Sequence, residues 1–234
     1  MVMLLLEFWC FECITLMSGY LGSNEQGATL ILLNFLSLIF TVAIGISYSA
    51  SSLVGNSLGA KKPETAKKYA TMSLVLALGL SGLIAVFIIL LKSQIAAAFT
   101  DHEEIASSVI VLSPVMAFLV FGDFTQTILS GTIRAMGRQK QATVFCILTY
   151  WLFITPSAYV FAFQLDLGVA GLWLGYPIGS LFLAASFVWI IHFADWELLS
   201  QQAVERVQKE SQAVAKADKD NSQELAELKQ SSKE

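Results

Sequence analysis

Charge is scarce in this chain: Asp, Glu, Lys and Arg make up 14% of its 234 residues, against a hydrophobic share of 56% and a mean hydropathy of +0.66. A soluble domain carries roughly 25% charged residues, so this balance excludes a soluble globule and describes a membrane-embedded chain with a polar appendage. Cysteine is sparse too. Cys10, Cys13 and Cys146 all lie in apolar segments, and Cys10 and Cys13 share one helical face rather than a metal-type loop. They read as small packing residues, neither disulfides nor ligands. His102 and His192 have no metal-ligand company, so no metal site is expected. No phosphate-binding GxxxxGK[ST] loop is present, which argues against a primary pump in this chain. No basic segment precedes the first apolar run and acids interrupt it, which argues against a signal peptide. Asp123, in FGDF, is the sole aspartate within an apolar span, and an intramembrane aspartyl protease needs two. The chain is therefore expected to be no enzyme, with no catalytic residue, no cofactor and no nucleic-acid partner.

What is present is apolar length. A hydrocarbon core of about 30 Å takes about 20 residues to cross. Six segments qualify, at approximately 1–21, 28–53, 70–91, 105–130, 141–163 and 168–193. This predicts an all-α membrane protein with a six-helix transmembrane part, 1–193, and a polar tail, 194–234, partly helical or disordered. In the tail, Leu198, Leu199, Val204 and Val207 offer a thin apolar stripe suited to a surface helix. The segments between spans alternate in charge. Lys61, Lys62, Lys67 and Lys68 lie in 54–69 and Arg134, Arg138 and Lys140 in 131–140, whereas 22–27 has no basic residue and 92–104 has only Lys92. By the positive-inside rule 54–69, 131–140 and both termini are cytoplasmic. The spans are rich in Gly, Ser and Ala, which lets helix backbones approach closely, and Pro114, Pro156 and Pro177 fall in or near the last three, where a missing amide kinks a helix.

The first stretch, MVMLLLEFWCFECITLMSGYL, carries two carboxylates, Glu7 and Glu12, within a bilayer-length apolar run. An ionised acid at that depth costs about 2.5–3.5 kcal/mol on insertion scales, so such residues usually face a protein interior or a water-filled cavity. With a rise of about 1.5 Å per residue, Glu7 and Asp123 each lie about 10 Å from the cytoplasmic end of their spans and share a depth. Glu12 and Asn34 lie roughly 13 and 9 Å from the outer face. Glu7 and Glu12 are about 140° apart around a helix and cannot point at one spot. These positions predict a chain of polar groups across the bundle rather than one cluster. Phe8, Trp9 and Phe11 beside them offer a cation–π surface or, more commonly, lipid-facing or core aromatics.

Four motifs carry a family resemblance. SSLVGNSLGAKKPETAKKYA after the second span resembles the signature loop of the multidrug and toxic compound extrusion (MATE) family, with Gly55, Asn56 and Gly59 in its VGNSLG, and LSGTIRAMGRQKQA, with Arg134 and Gly137, resembles the loop after the fourth. LEFWCFE followed by MSGYLG looks like the start of the seventh helix of eukaryotic members, and LGVAGLWLG the approach to their twelfth. The similarity runs from about Leu6 to Phe193. It implies one six-helix lobe, the C-terminal one, of a two-lobed, pseudo-twofold transporter, beginning inside that lobe's first helix and lacking an N-terminal six-helix partner lobe. It also implies that Glu7, Glu12 and Asp123 occupy acid positions used for cation recognition and proton coupling. Asn34 stands where animal members often have Glu and plant members often Asn, so the chain looks plant-like. The implied activity is export of organic cations or xenobiotics across a plasma or vacuolar membrane in exchange for protons, with sodium as the alternative coupling ion. The rival expectation is a truncated or regulatory half that does not transport.

Overall fold

In a lipid interior no water can satisfy backbone amides, so an apolar chain with no sheet pattern pairs them within helices. The computed structural model describes residues 2–99, 102–209 and 211–212, and among these the regular structure is entirely helical. The first helix, α1 (Val2–Leu21), is separated from α2 (Ser23–Gly59) by Gly22 alone, whose φ of 150° lies in a region that favours glycine. A short turn then leads into α3 (Pro63–Leu90), with Pro63 at the first helical position where a missing amide costs nothing. The short α4 (Lys92–Phe99) precedes α5 (Glu103–Met136), and α6 (Gln139–Ile147) opens the next span. That span continues through a π-helical stretch Leu148–Ile154, α7 (Thr155–Tyr159) and a second π-helical stretch Val160–Gln164. The last apolar helix is α8 (Gly168–His192). A final helix, α9, occupies 196–209.

Among the described residues five stretches are long and apolar enough to cross a membrane: Glu25–Gly59, Pro63–Leu90, Glu103–Met136, Gln139–Gln164 and Gly168–His192. The 20-residue α1 packs beside them against α2, α6 and α8. Helix α5 is the axis of the bundle. From Gly122 to Ile133 every one of its residues is buried, because α2, α3 and α8 press on it from different sides. Small residues make this possible. A side chain at Gly131 would run into the Ser47 backbone of α2, and one at Gly122 into Ser180 of α8. On α8, Gly171, Gly175 and Gly179 repeat every four residues and face the α6–α7 span at 149–162, a small-xxx-small stripe. Hydroxyls supply the remaining adhesion: Ser47 Oγ donates to the Thr127 carbonyl at 2.7 Å, while Ser81 and Thr125 hydroxyls meet at 3.3 Å and Ser73 and Thr132 at 3.2 Å.

Several boundaries differ from the sequence expectation. The loops 54–69 and 131–140 are mostly helix: 54–59 closes α2, 63–69 opens α3, and α5 runs on to Met136. Apolar composition marks where hydrocarbon ends, whereas a helix stops only where its backbone is interrupted, here at Lys61 (φ 57°) and Gly137 (φ 70°). The segment 92–104 likewise contains α4. Pro114 and Pro177 sit inside continuous helices, and the π-helical turns flank Pro156, whose missing amide upsets the regular ladder. There the Thr155 amide and hydroxyl both donate to the Tyr150 carbonyl, the latter at 2.8 Å.

The apolar stripe of the tail also differs. Trp196 and Leu199 are the buried side of α9, packed with Val54, Leu58, Ala66, Ala70 and Met136, whereas Leu198 and Val207 are exposed. Asp195 caps the helix by accepting the Leu198 amide at 3.0 Å, and Ser200 Oγ donates to the Leu58 carbonyl at 2.9 Å. This cluster puts the ends of α2, α3 and α5 and the start of α9 together. Lys61, Lys62, Arg134, Arg138 and Lys140 therefore lie at one end of the bundle, called the basic end below.

Candidate functional site

The buried part of α5 presents Asp123 and, one turn later, Gln126 on one face, since residues three apart on a helix are neighbours. Against that face come Glu7 from α1, Tyr150 from the first π-helical stretch and Tyr176 from α8. Glu7 and Asp123 are both buried, at 4% and 7% exposure. Gln126 stands between them: its Nε2 lies 3.1 Å from Glu7 Oε1, 3.2 Å from Asp123 Oδ1, 3.2 Å from the Tyr150 hydroxyl and 3.3 Å from Thr127 Oγ1. An amide nitrogen has two hydrogens, so the four acceptors compete, and charged oxygens make the stronger bonds. The Tyr176 hydroxyl donates to Asp123 Oδ1 at 3.4 Å. The two carboxyl groups are also within hydrogen-bonding reach of each other.

The surroundings are largely aromatic. Phe11 stacks on Tyr176 at 4.8 Å between ring centroids and tilts against Trp173, so this aromatic belongs to the core beside the acids. Phe8 and Trp9 are exposed on the other side of α1, with Phe8 edge-on to Phe40. Cys10 is buried and its thiol lies 3.6 Å from Thr155 Oγ1, consistent with a packing role.

The structure therefore gathers Glu7 and Asp123 and leaves Glu12 and Asn34 apart. Both of the latter side chains lie on exposed faces of α1 and α2. In place of a chain of polar positions there is one cluster, because α1 turns Glu12 away while α5 brings Asp123 to Glu7. The signature residues lie towards the basic end. Asn56 is exposed, with its amide 3.5 Å from Ser52 Oγ, Gly55 faces Ala135, and Gly59 has open space. Gly137 adopts the left-handed conformation that closes α5, its amide and that of Arg138 bonding the Arg134 and Ile133 carbonyls. Arg134 reaches from α5 to α2, where it donates to Ser47 Oγ at 2.9 Å and lies 5.2 Å from the Tyr48 ring centroid. Gln126, Tyr150 and Tyr176 were not singled out in the sequence. Among the described residues no group of three or more His, Cys, Asp or Glu is placed to hold a metal.

The MatE family model matches residues 1–160, which include α1 to α5 and the carboxylate pair. The chain belongs to the MatE family. It is 31% identical over 207 residues to Protein DETOXIFICATION 31 of Arabidopsis thaliana, covering 88% of this chain and 40% of that one. It is 31% identical over 203 residues to Multidrug and toxin extrusion protein 1 of Homo sapiens, covering 87% and 36%. Among solved structures it resembles the eukaryotic MATE transporter AtDTX14 with a TM-score of 0.84 and 27% identity, over 88% of this chain and 46% of that chain. The chain thus spans less than half the length of the relatives it matches, and corresponds to one half of the family's fold. With its apolar helices this makes it a multi-pass integral membrane protein.

Proposed function

We propose that the chain is the second lobe of an antiporter that exports small organic cations or xenobiotics in exchange for protons, and that Glu7 and Asp123 hold the proton and the cation in turn. The observation behind this reading is the pair of carboxyl groups buried at Gln126, against which no Lys or Arg is packed among the described residues. Two negative charges in a low-dielectric interior need a positive partner. Either protons or a substrate cation can supply it at the same carboxyl oxygens, so occupancy by one displaces the other. That exclusion is the elementary requirement of exchange. Protons are favoured over sodium because Gln126 and Tyr176 aim N–H and O–H donors at the carboxyl oxygens, filling sites that a bare metal ion would coordinate.

In this reading the partner lobe forms the opposite wall of the substrate site and the two rock against each other across the membrane. The basic end faces the cytosol by the positive-inside rule, in a plasma or vacuolar membrane. The test is Asp123→Asn in the chain paired with an N-terminal lobe of a related transporter. Cation efflux driven by a pH gradient should be lost while membrane insertion is unchanged; normal efflux would remove Asp123 from the coupling step.

A further inference from the structure

The Glu7 and Asp123 pair divides two openings of very different size. On one side a cavity of about 430 Å³ lies between α1, α5 and α6, with Glu7 and Gln126 at its floor, Ser130 and Thr143 on its wall, and Arg134 and Lys140 at its mouth. On the other, Asp123 lines a crevice of about 10 Å³ between α2 and α5, at or below the roughly 10–15 Å³ that one water needs. The mouth is at the basic end. Arg134 follows Gln126 by eight residues along α5, which makes the cavity about 12 Å deep. A cavity of about 430 Å³ holds roughly a dozen waters at about 30 Å³ each, and polar groups at membrane depth are tolerated where they face water. Among the described residues no carboxylate pairs with Arg134; the Ser47 hydroxyl fixes its guanidinium instead. Its charge therefore acts on the mouth together with that of Lys140.

We propose that this cavity is water-filled and is the route by which Glu7 exchanges its proton with solution at the basic end, while the Asp123 side is shut, and that Arg134 and Lys140 bar organic cations from the same route. This rests on the proton-carrying role proposed for Glu7 and adds the path and its selectivity. A proton is relayed: the carboxylate gains an O–H as the adjoining water gives up its proton and takes one from the next. An organic cation must pass the two like charges whole and shed hydration to fit. The carboxylates then exchange protons through a route that substrate does not share, and the organic cation reaches them from the cleft between the two lobes.

The test uses the purified chain in lipid nanodiscs, with its three cysteines replaced by alanine and a thiol introduced by Thr143→Cys or, separately, Ser130→Cys. Small anionic and quaternary-ammonium methanethiosulfonates probe the cavity. Both thiols should react, the anionic reagent faster by about tenfold or more, and the preference should vanish in the Arg134→Gln/Lys140→Gln background. The infrared carboxyl band that disappears in Glu7→Gln then reports proton exchange after a pH jump. Modification of either introduced thiol with a bulky reagent should slow that exchange by about tenfold or more. Unreactive thiols at both positions, reaction without charge preference, or a Glu7 band indifferent to the block would each overturn the proposal. Because this readout needs no transport, it is separate from the Asp123→Asn efflux test of the coupling role.

Discussion

The residue that decides the character of the site is Gln126, which touches both carboxyl groups and Tyr150 at once. Removing one partner from a buried polar network leaves the others unsatisfied, at about 1–3 kcal/mol per group. Gln126→Leu is therefore predicted to lower the thermal stability of the purified protein in detergent by that order, whereas Tyr176→Phe, which gives up a single 3.4 Å bond, should cost less. Equal melting temperatures for wild type and Gln126→Leu would show that the amide does not tie the acids together. Glu7 and Asp123 were legible in the sequence because a carboxylate inside an apolar run is conspicuous. Gln126 was legible in principle, standing one turn from Asp123 in FGDFTQ. Tyr150 and Tyr176 were not, because a tyrosine in a membrane span ordinarily reads as an interfacial or core aromatic. Nothing local tells that Tyr150, 143 residues away in the chain, meets Glu7's neighbours. Glu12 and Asn34 show the converse: each is polar at membrane depth, yet helix rotation leaves each on an exposed face.

Among the elements, helices were readable and their ends were not. Hydrophobicity located the six helical regions, but α2 and α3 continue past the apolar runs until only a short turn remains at Lys61 and Lys62. The packing partners of each helix were legible only as a richness in small residues. The structure says which ones matter. Gly131→Ala must displace the Ser47 backbone where α5 crosses α2, and overpacking of this kind costs about 1–3 kcal/mol. Gly79→Ala meets nothing within 4 Å and should be neutral or slightly stabilising, as Ala is the better helix former by about 1 kcal/mol. Thermal unfolding of the two variants side by side checks the assignment. A Gly131→Ala protein as stable as Gly79→Ala would mean that α2 and α5 are not in close contact there. The docking of α9 was missed because its buried face, Trp196, Leu199 and Ser200, mixes a polar residue with two apolar ones, so the stripe looked weaker than it is.

For the whole molecule, orientation and exchange are the two properties to measure. Ser23 is exposed at the start of α2, and Lys62 is exposed in the turn that follows its other end. In a cysteine-free background in intact cells, a thiol introduced by Lys62→Cys should resist an impermeant reagent added outside and one introduced by Ser23→Cys should react; the reverse pattern would invert the topology. Ser57, although also at the basic end, is a poorer probe because its side chain is buried and bonds the Leu53 carbonyl. The chain alone, reconstituted in liposomes with an imposed pH gradient, is expected not to exchange substrate, since one lobe supplies one wall of a two-lobed site.

The proposed exchange rests on mutual exclusion of a proton and an organic cation at Glu7 and Asp123. It is tested most directly by adding a quaternary-ammonium or phosphonium cation to the assembled two-lobe protein in weakly buffered solution and measuring cation bound and protons released together. Protons should be released as the cation binds, and the release should be lost in the Glu7→Gln/Asp123→Asn double variant. Cation binding at full affinity with no proton release, or release undiminished in the double variant, would contradict it.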